Sequence, residues 1–313
     1  MTDDASPPRA SRMVPPDPFD RLALARNRRR AERISRADAD FLVRLALDDL
    51  AERLDAVERR FERAAVLDPP LPTVVARVAA SPRVDRVEAV RTAADGRVPL
   101  APGSVDLVVS VMALHVAADL PGTLAQVARA LRPDGLFLAV LPGGETLREL
   151  REAWLAAEAE AGGASPRVAP MLDVRDAGAL LQRAGLALPV ADVDRLTLRY
   201  DSMLALAAEL RAMGMQNALA ERARTPLARA TAMRAAALYA ERHADGDGRV
   251  RATVDLVSLS GWRPHASQQR PLAPGSATAS LADALGDRSG PASGAPDDEP
   301  SPDPRGASAE SGR

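Results

Sequence analysis

The chain has 313 residues, and 46% of them are apolar, which is ample for a packed core. Its 41 basic and 43 acidic residues leave almost no net charge, so the molecule as a whole gives no electrostatic reason to bind nucleic acid. The absence of cysteine excludes disulfides and thiolate chemistry, and the three histidines lie too far apart in sequence to predict a metal site.

Neither a membrane span nor a secretion signal is visible in the sequence. No apolar run approaches the ~20 residues of a transmembrane helix, and the N-terminus, MTDDASPPRA, lacks the apolar core of a signal peptide. We therefore expect a cytoplasmic protein. Residues 1–17 and 286–313 contain too few apolar groups to offset their chain entropy, which predicts disorder at both ends.

The segment 18–62 is predicted to be helical. Five arginines between Arg26 and Arg33 form a basic stripe, which is either a solvated helix face or a contact for an acidic partner or membrane headgroups. Ser35 and Asp38 form a capping-box pattern that starts a second helix. The apolar residues of that helix recur at i, i+4 spacing, which predicts that it covers one side of a sheet: Leu42, Ala46, Leu50 and Leu54.

Residues 63–200 are predicted to form an α/β core. A short strand over Ala64–Leu67 ends at Asp68, and a helix follows over Thr73–Ala80. The next segment, Val84–Ala94, holds at most one strand. The stretch before the following strand is too short for two β-α crossovers of about a dozen residues each. One β-α unit is therefore predicted to be missing.

A β-α-β unit occupies the middle of the chain. Ser104–Met112 and Leu136–Leu141 are continuous β-branched and apolar runs, typical of strands buried on both faces. Asp119 is a candidate N-cap for the helix between them, whose apolar face is Leu120, Leu124, Val127 and Leu131. The turn Arg132–Gly135 is predicted to end the helix and start the second strand.

The remaining core elements are two helices and two strands. Helices are predicted over Glu145–Ala161 and Val174–Ala184, followed by a strand over Leu186–Tyr200. The segment 246–285 is predicted to contain a last, antiparallel strand over Val250–Ser260 and a C-terminal extension.

A helical insertion is predicted over residues 201–245. Its first helix is capped by Asp201 or Ser202 and ends at Met213–Gly214. Its second helix is opened by Thr225–Pro226 and ends near Arg242. Both helices interrupt the sheet between its last two strands.

Several sequence words resemble the class I S-adenosylmethionine-dependent methyltransferases. The runs VDLVVSVMALHV and LRPDGLFLAV are similar to the fourth and fifth strands of that superfamily. Others resemble the subgroup of bacterial relatives of mitochondrial complex I assembly factor 5, an arginine hydroxylase, near the malonyl-carrier-protein methyltransferases of biotin synthesis: Phe19–Arg21, Leu210–Gly214, Arg251–Thr253, Ser260–Pro264 and Ser267–Gln269. The resemblance covers residues 18–286. It implies a Rossmann-like, mostly parallel sheet with an antiparallel last strand, an N-terminal helix and a helical lid.

The resemblance also implies S-adenosylmethionine as the cofactor. The residues that would contact it are Asp68 after the first strand, Glu88 near the ribose, Asp95 near the adenine, and His115. Glu88 and Asp95 are also open to interpretation as surface charges, and His115 as a packing residue. The glycines that let a backbone approach this cofactor are replaced here by Pro70, Pro72 and Val74. No catalytic residue can be identified.

A substrate lid is implied by the subgroup's words. Its candidate residues are Tyr200, Arg211, Asn217, Tyr239, Trp262 and Gln268. Trp262 is also open to interpretation as a core or turn residue.

The resemblance predicts a methyltransferase that acts on a protein or carrier-protein substrate. The implied partners are a respiratory complex I subunit or an acyl carrier protein, with no nucleic acid. The basic N-terminal helix offers a weak peripheral contact at the inner face of the inner membrane. Two alternatives stay open: arginine hydroxylation of a complex I subunit, and a non-catalytic assembly protein, which the prolines after Asp68 favour.

Overall fold

The computed structural model describes residues 17–34 and 40–269. The predicted disordered ends, apart from Asp17, and the Ser35–Asp38 capping box lie outside these residues. Within the described residues the helices are α1 (Arg21–Ile34), α2 (Phe41–Asp55), α3 (Pro72–Ala79), α4 (Leu120–Ala130), α5 (Arg148–Glu160), α6 (Val174–Arg183), α7 (Met203–Ala212) and α8 (Arg229–His243). The strands are β1 (Ala64–Leu67), β2 (Val87–Val90), β3 (Val105–Val111), β4 (Leu131–Gly143), β5 (Ala187–Tyr200) and β6 (Val250–Trp262).

The strands form one sheet in the order β2-β1-β3-β4-β6-β5. Strands β1 to β4 run parallel, and β6 is antiparallel to both of its neighbours, β4 and β5. In sequence order, β2 is the single strand that the described residues form between the end of β1 and the start of β3. The predicted α/β architecture, with a missing β-α unit and an antiparallel last strand, is confirmed.

Helices cover both faces of this sheet. Ala64 and Val66 of β1 pack in the layer that contains α2 and α3, whereas Ala65 and Leu67 pack in the layer that contains α4 and α6. The predicted apolar face of α2 is buried in the first of these layers: Leu42, Ala46, Leu50 and Leu54. Burial on both sides explains why the parallel strands are apolar without interruption.

Two predicted helix caps are present. The Asp119 side chain accepts a hydrogen bond from the Gly122 backbone N at 2.9 Å at the start of α4. At the start of α7 the cap is Ser202 rather than Asp201, because the Ser202 Oγ accepts a hydrogen bond from the Ala205 backbone N at 3.2 Å. Of the two caps predicted for α7, Ser202 is therefore the one present in the structure.

The predicted turn before β4 is wrong, because β4 begins at Leu131 and includes that segment. Asp134 takes a positive φ of 63°. Its backbone N donates to the Arg263 carbonyl at 3.0 Å, and the Arg263 N donates to the Gly135 carbonyl at 2.7 Å. Because of these long-range hydrogen bonds, the segment Arg132–Gly135 stays paired with the residue that follows β6, although its sequence is typical of a turn.

The predicted start of the second lid helix is also wrong. α8 begins at Arg229, three residues after Pro226, and the N-cap position is Ala228, which provides no side-chain cap. The Thr225–Pro226 pair therefore lies in the connection between α7 and α8.

Candidate functional site

A cavity of about 1020 Å³ opens at the edge where β1, β3 and β4 end. The residues that follow these strands or end them form its floor: Asp68, Met112 and Pro142. Asp68 and Met112 have positive φ values of 50° and 51°, so the chain turns sharply as it leaves β1 and β3. Open α/β sheets bind ligands at this edge, which makes the cavity the candidate site.

The opposite wall of the cavity comes from outside the parallel strands. α1 contributes Leu24 and Arg28, and α5 contributes Leu150 and Trp154. The segment 204–218, which comprises most of α7 and the loop after it, lines the cavity without interruption. The site thus joins the sheet edge to the N-terminal helix and to the first part of the helical insertion.

Asp68 is tied to the neighbouring strand. Its side chain accepts hydrogen bonds from the Thr92 backbone N, at 3.1 Å, and from the Thr92 hydroxyl, while its own backbone N donates to the Val90 carbonyl at 2.8 Å. The carboxylate is therefore fixed in place just beyond the ends of β1 and β2. Pro70 lines the cavity beside it, and Pro72 is the first residue of α3.

His115 lies on a short 3₁₀ turn after β3, partly buried at the cavity. Burial, together with the positive charge of Arg28, lowers the pKa of His115 to about 4. The ring is therefore neutral at physiological pH. Its Nδ1 atom is buried and has no hydrogen-bond partner among the described residues.

α1 is held against the cavity by contacts along its length. The Asp20 backbone N donates to the Ala218 carbonyl at 2.7 Å, and the Asp20 carboxylate pairs with Arg222 at 2.7 Å. The Asn27 side chain donates to the Gln216 carbonyl at 3.1 Å. Gly214 has a φ of 76° and is close-packed against α1, since a Cβ there would lie 3.3 Å from the Ala31 Cβ.

A buried acidic group lies on the α7 side of the cavity. The Oε1 atom of Glu209 is buried and has no hydrogen-bond partner within the described residues, and burial raises the pKa of Glu209. Tyr200 lies nearby, and burial and the charge of Glu209 raise the pKa of its hydroxyl. The Oε1 atom of Gln216, also at the cavity, is a further buried acceptor that lacks a partner in the described part of the chain.

The cavity brings together about half of the residues that the sequence singles out. Asp68, His115, Tyr200, Arg211 and Asn217 all line it. Asn217 also donates from its side chain to the Pro166 carbonyl at 2.7 Å and accepts from the Leu219 backbone N at 3.0 Å, so it shapes the cavity wall.

The other two cofactor candidates do not line the cavity. Glu88 is exposed in the middle of β2, and its backbone pairs with Ala65. Asp95 is exposed and bonded to Arg97, at 2.7 Å between Oδ2 and Nε. The position at the end of β2 is occupied instead by Arg91 and Thr92.

Three lid candidates also lie elsewhere. Tyr239 is fully buried and donates to the Arg251 carbonyl at 2.8 Å. Trp262 ends β6 opposite Leu136, at the other end of the parallel strands from the cavity. Gln268 donates to the Asp134 carboxylate at 2.9 Å at that same end. Their positions correspond to packing and turn roles.

The outer face of α1 is basic. Arg26, Arg29, Arg30 and Arg33 are exposed. No ion pair to these four side chains is present within residues 17–34 and 40–269, and the predicted contact with an acidic partner or headgroups stays a prediction. No helix in the described ranges is long and apolar enough to cross a membrane.

Sequence reasoning missed Arg28, Trp154 and Glu209 as cavity residues. Arg28 carries a signal that could have distinguished it from the other arginines, because it lies four residues after the buried Leu24, on the inward face of α1. Trp154 carries the Arg167 guanidinium 5.1 Å above its ring. Glu209 had no comparable signal, since its burial depends on how α7 packs.

A known protein family matches the residues of the cavity floor but not those of the facing wall. Residues 51–139 match the family model described as "Methyltransferase domain". This segment contains β1, β2, β3 and most of β4, together with Asp68, Met112 and His115. The arginines, aromatic and acidic residues of the facing wall lie outside it.

Two relatives and one solved structure illustrate the similarity. The chain is 40% identical to "Arginine-hydroxylase NDUFAF5, mitochondrial" of Danio rerio over 59% of this chain and 58% of that protein. It is 38% identical to "Malonyl-[acyl-carrier protein] O-methyltransferase" of Laribacter hongkongensis over 57% of this chain and 58% of that protein. The crystal structure of YcgJ from Bacillus subtilis is 14% identical, with a TM-score of 0.48 over 70% of this chain and 99% of that one. The chain spans a little over half the length of these two relatives.

The sheet and its ligand-binding edge have the Rossmann-like arrangement that the sequence predicts, and residues 51–139 are similar to a methyltransferase domain. The chain is similar in sequence to the NDUFAF5 proteins and also to the malonyl-[acyl-carrier protein] O-methyltransferases. This confirms the resemblance read from the sequence words.

The residues of the cavity fit a bound ligand of the size of S-adenosylmethionine. Its volume lies at the upper end of the ~300–1,000 Å³ usual for small-molecule sites, which leaves room for a cofactor and a substrate side chain together. Three buried polar atoms at the cavity lack protein partners among the described residues: His115 Nδ1, Glu209 Oε1 and Gln216 Oε1. Buried polar atoms without partners are costly, so their concentration here is typical of a ligand site.

Proposed function

We propose that this chain binds S-adenosylmethionine in the cavity and modifies a side chain of a protein partner. The observation that carries the proposal is the composition of the cavity floor. Asp68, Met112 and His115 all come from the segment that matches the methyltransferase domain, and they meet at the ligand-binding edge of the sheet.

The chain's own residues would position this cofactor, with Asp68 and His115 nearest the sheet. Bound S-adenosylmethionine supplies an activated methyl group on a positively charged sulfur. Asp68 is held by Thr92 and presents a fixed negative charge beyond β1. Neutral His115 offers hydrogen bonding without a positive charge that would repel the sulfonium. Catalysis in such a site depends mainly on alignment of the reacting groups, so no strong acid or base is required.

The wall opposite the floor favours a cationic substrate side chain. The Oε1 atom of Glu209 is buried without a partner in the described residues, although the carboxyl contacts the Tyr200 hydroxyl, and Trp154 already accommodates the guanidinium of Arg167. A guanidinium group would satisfy Glu209, whereas a malonyl carboxylate would be repelled by it. This charge supports an arginine-bearing protein partner, such as a respiratory complex I subunit, over an acyl carrier protein. The relatives named arginine-hydroxylase are consistent with this choice.

A second candidate function is a binding or assembly protein without turnover. The prolines at 69, 70 and 72 favour it, because they remove backbone N–H donors from the loop that follows β1. In this alternative the cavity still holds a ligand, but no group is transferred.

Mass spectrometry of a partner tests the proposal. The purified chain is incubated with S-adenosylmethionine and either an arginine-rich peptide library or malonyl-acyl carrier protein. A mass increase of one methyl group on a peptide arginine supports the proposal. A parallel incubation also supplies dioxygen and a two-electron reductant, and an increase of one oxygen atom there indicates hydroxylation. Modification of the carrier protein alone contradicts the assignment of a cationic substrate. No modification of any kind favours the assembly protein.

A further inference from the structure

Arg28 faces away from the exposed arginines on the outer face of α1, which are Arg26, Arg29, Arg30 and Arg33. It lines the cavity together with Asp68, Pro70 and His115, whereas Arg29 next to it is exposed to solvent. The position is fixed by the preceding turn of the helix, since Leu24 is buried and Asn27 is bonded to the Gln216 carbonyl. Arg28 therefore lies on a helix that is held in place by the burial of Leu24 and by the hydrogen bond of Asn27.

The guanidinium of Arg28 is not neutralised by an ion pair. Among residues 17–34 and 40–269, it has no hydrogen bond and no salt bridge. Asp68 attracts it electrostatically, but that carboxylate already accepts two hydrogen bonds from Thr92, and Arg21 and Arg91 add positive charge around it. A partly buried guanidinium with five N–H donors and no partner is suited to bind an anion.

The loop between β1 and α3 lacks several of the backbone N–H donors that an anion would otherwise use. Pro69, Pro70 and Pro72 have no N–H group, and the Asp68 N–H is already bonded to the Val90 carbonyl at 2.8 Å. The backbone between β1 and α3 is thus a poor anion site. A side chain from another element has to supply the positive charge.

We propose that Arg28 binds the carboxylate at the amino-acid end of the cofactor and replaces the missing backbone donors of the proline loop. The inference rests on the proposed function, because it assigns a role toward the same cofactor. It explains how a site with an altered loop can retain affinity. α1, which lies outside the matched methyltransferase segment, then becomes part of the cofactor site.

A pair of ligands that differ at the relevant group tests this assignment. S-adenosylhomocysteine carries the amino-acid carboxylate, and methylthioadenosine lacks it but keeps the nucleoside and the sulfur. Their affinities are measured by calorimetry for the wild-type chain, Arg28→Gln, Arg28→Lys and the matched control Arg29→Gln. Circular dichroism and thermal melting establish that each variant is folded.

We expect Arg28→Gln to weaken the binding of S-adenosylhomocysteine by about tenfold or more and to leave the binding of methylthioadenosine unchanged. The reason is that a charge-assisted bidentate contact is lost from only one of the two ligands. Arg28→Lys should keep part of the affinity, because lysine retains the charge but not the planar fork. Arg29→Gln should bind both ligands like the wild type.

Three results would overturn the assignment, and they are distinguishable. Equal binding of S-adenosylhomocysteine by the wild type and Arg28→Gln would mean that Arg28 does not contact the carboxylate. Equal loss of both ligands in a folded Arg28→Gln would mean that the residue only supports the cavity. Failure of the wild-type chain to bind either ligand would contradict the proposed function itself.

Discussion

Thr92 donates two hydrogen bonds to Asp68, one from its backbone N at 3.1 Å and one from its hydroxyl. The pair links the ends of two adjacent parallel strands, β1 and β2, at the rim of the cavity. It also gives Asp68 a fixed orientation at φ 50°, a conformation that is uncommon for a residue other than glycine. The floor of the site is therefore set by a contact between strands and not by a glycine-rich loop.

Loss of the hydroxyl contact should loosen this floor. We expect Thr92→Val to lower the free energy of unfolding by about 1 kcal/mol, the usual net worth of such a hydrogen bond. Urea unfolding measures the change. Thr197→Val, at an exposed position of β5, is the matched control and should be neutral or slightly stabilising. An unchanged midpoint in Thr92→Val would mean that the Asp68 contact has no role in stability.

His115 predicts a specific pH dependence. Its pKa falls from 6.5 to about 4 on folding, so between these values the unfolded chain binds a proton that the native chain does not. Stability should therefore decrease as pH falls from about 6.5 towards 4, by roughly 2 kcal/mol after allowance for the partial exposure of the ring. Above pH 6.5 this contribution is fully present.

The variant that tests this is His115→Gln, which has no titrating ring. Its free energy of unfolding, measured in urea at a series of pH values, should change less between 6.5 and 4 than that of the wild type. His265→Gln, at an exposed position, should keep the wild-type slope. Parallel curves for the wild type and His115→Gln would contradict the assignment.

Asp255 of β6 joins the sheet to the start of α5. It is 2% exposed, binds the Arg195 guanidinium at 2.7 and 2.8 Å, and accepts from the Glu145 backbone N at 2.9 Å. The hydrogen bond from Arg195 lowers its pKa. We expect Asp255→Asn to cost about 1–3 kcal/mol, because an amide cannot accept all of these donors.

Asp194→Asn provides the control on the same sheet. The Asp194 side chain is 63% exposed and lies 3.9 Å from Arg53, so its charge should contribute little. Thermal unfolding of both variants at neutral pH compares them. The pKa direction predicts that the loss in Asp255→Asn diminishes in acid, as the wild-type carboxylate itself takes up a proton. Equal melting temperatures for the two variants would contradict this account.

Glu209 should be a site where stability and function oppose each other. Burial raises its pKa, so ionisation of the carboxyl lowers stability as pH rises through that pKa. Glu209→Gln resembles the protonated form. At neutral pH it should raise the free energy of unfolding by about 1 kcal/mol and raise the melting temperature accordingly, with a smaller gain in acid.

The same variant should bind a cationic substrate peptide more weakly. Glu221→Gln, at an exposed position, is the control and should change neither the melting temperature nor peptide binding. A Glu209→Gln variant that is less stable than the wild type at neutral pH would mean that the contact of the carboxylate with Tyr200 outweighs the cost of its burial, and that the group is not held for a ligand.

The sequence predicts the sheet well because its signals are local. Continuous apolar runs identify β1 and β3, and Asp119 marks the start of α4. The boundary of β4 is missed because the Pro133–Gly135 segment has turn chemistry, yet hydrogen bonds from Arg263, more than a hundred residues later, keep it in the strand.

About half of the predicted site residues line the cavity, and local signals explain part of this success. Asp68 and His115 directly follow parallel strands, and the ends of such strands meet at one edge. Glu88 lies within its strand rather than at the end, so the same rule does not bring it to the cavity. Arg28 and Glu209 reach the site because α1 and α7 pack together over it. The spacing from Leu24 indicates that Arg28 lies on the inward face of α1, but no local pattern shows that this face covers the cavity, and Glu209 has no such signal.

Cofactor binding is the central claim, and calorimetric titration of the full chain with S-adenosylhomocysteine tests it most directly. We expect saturable binding of one ligand per chain with micromolar affinity, in a cavity whose floor is held by Asp68 and Thr92. An absence of binding up to millimolar ligand would contradict this, and would leave the chain with a methyltransferase-like fold that lacks the cofactor.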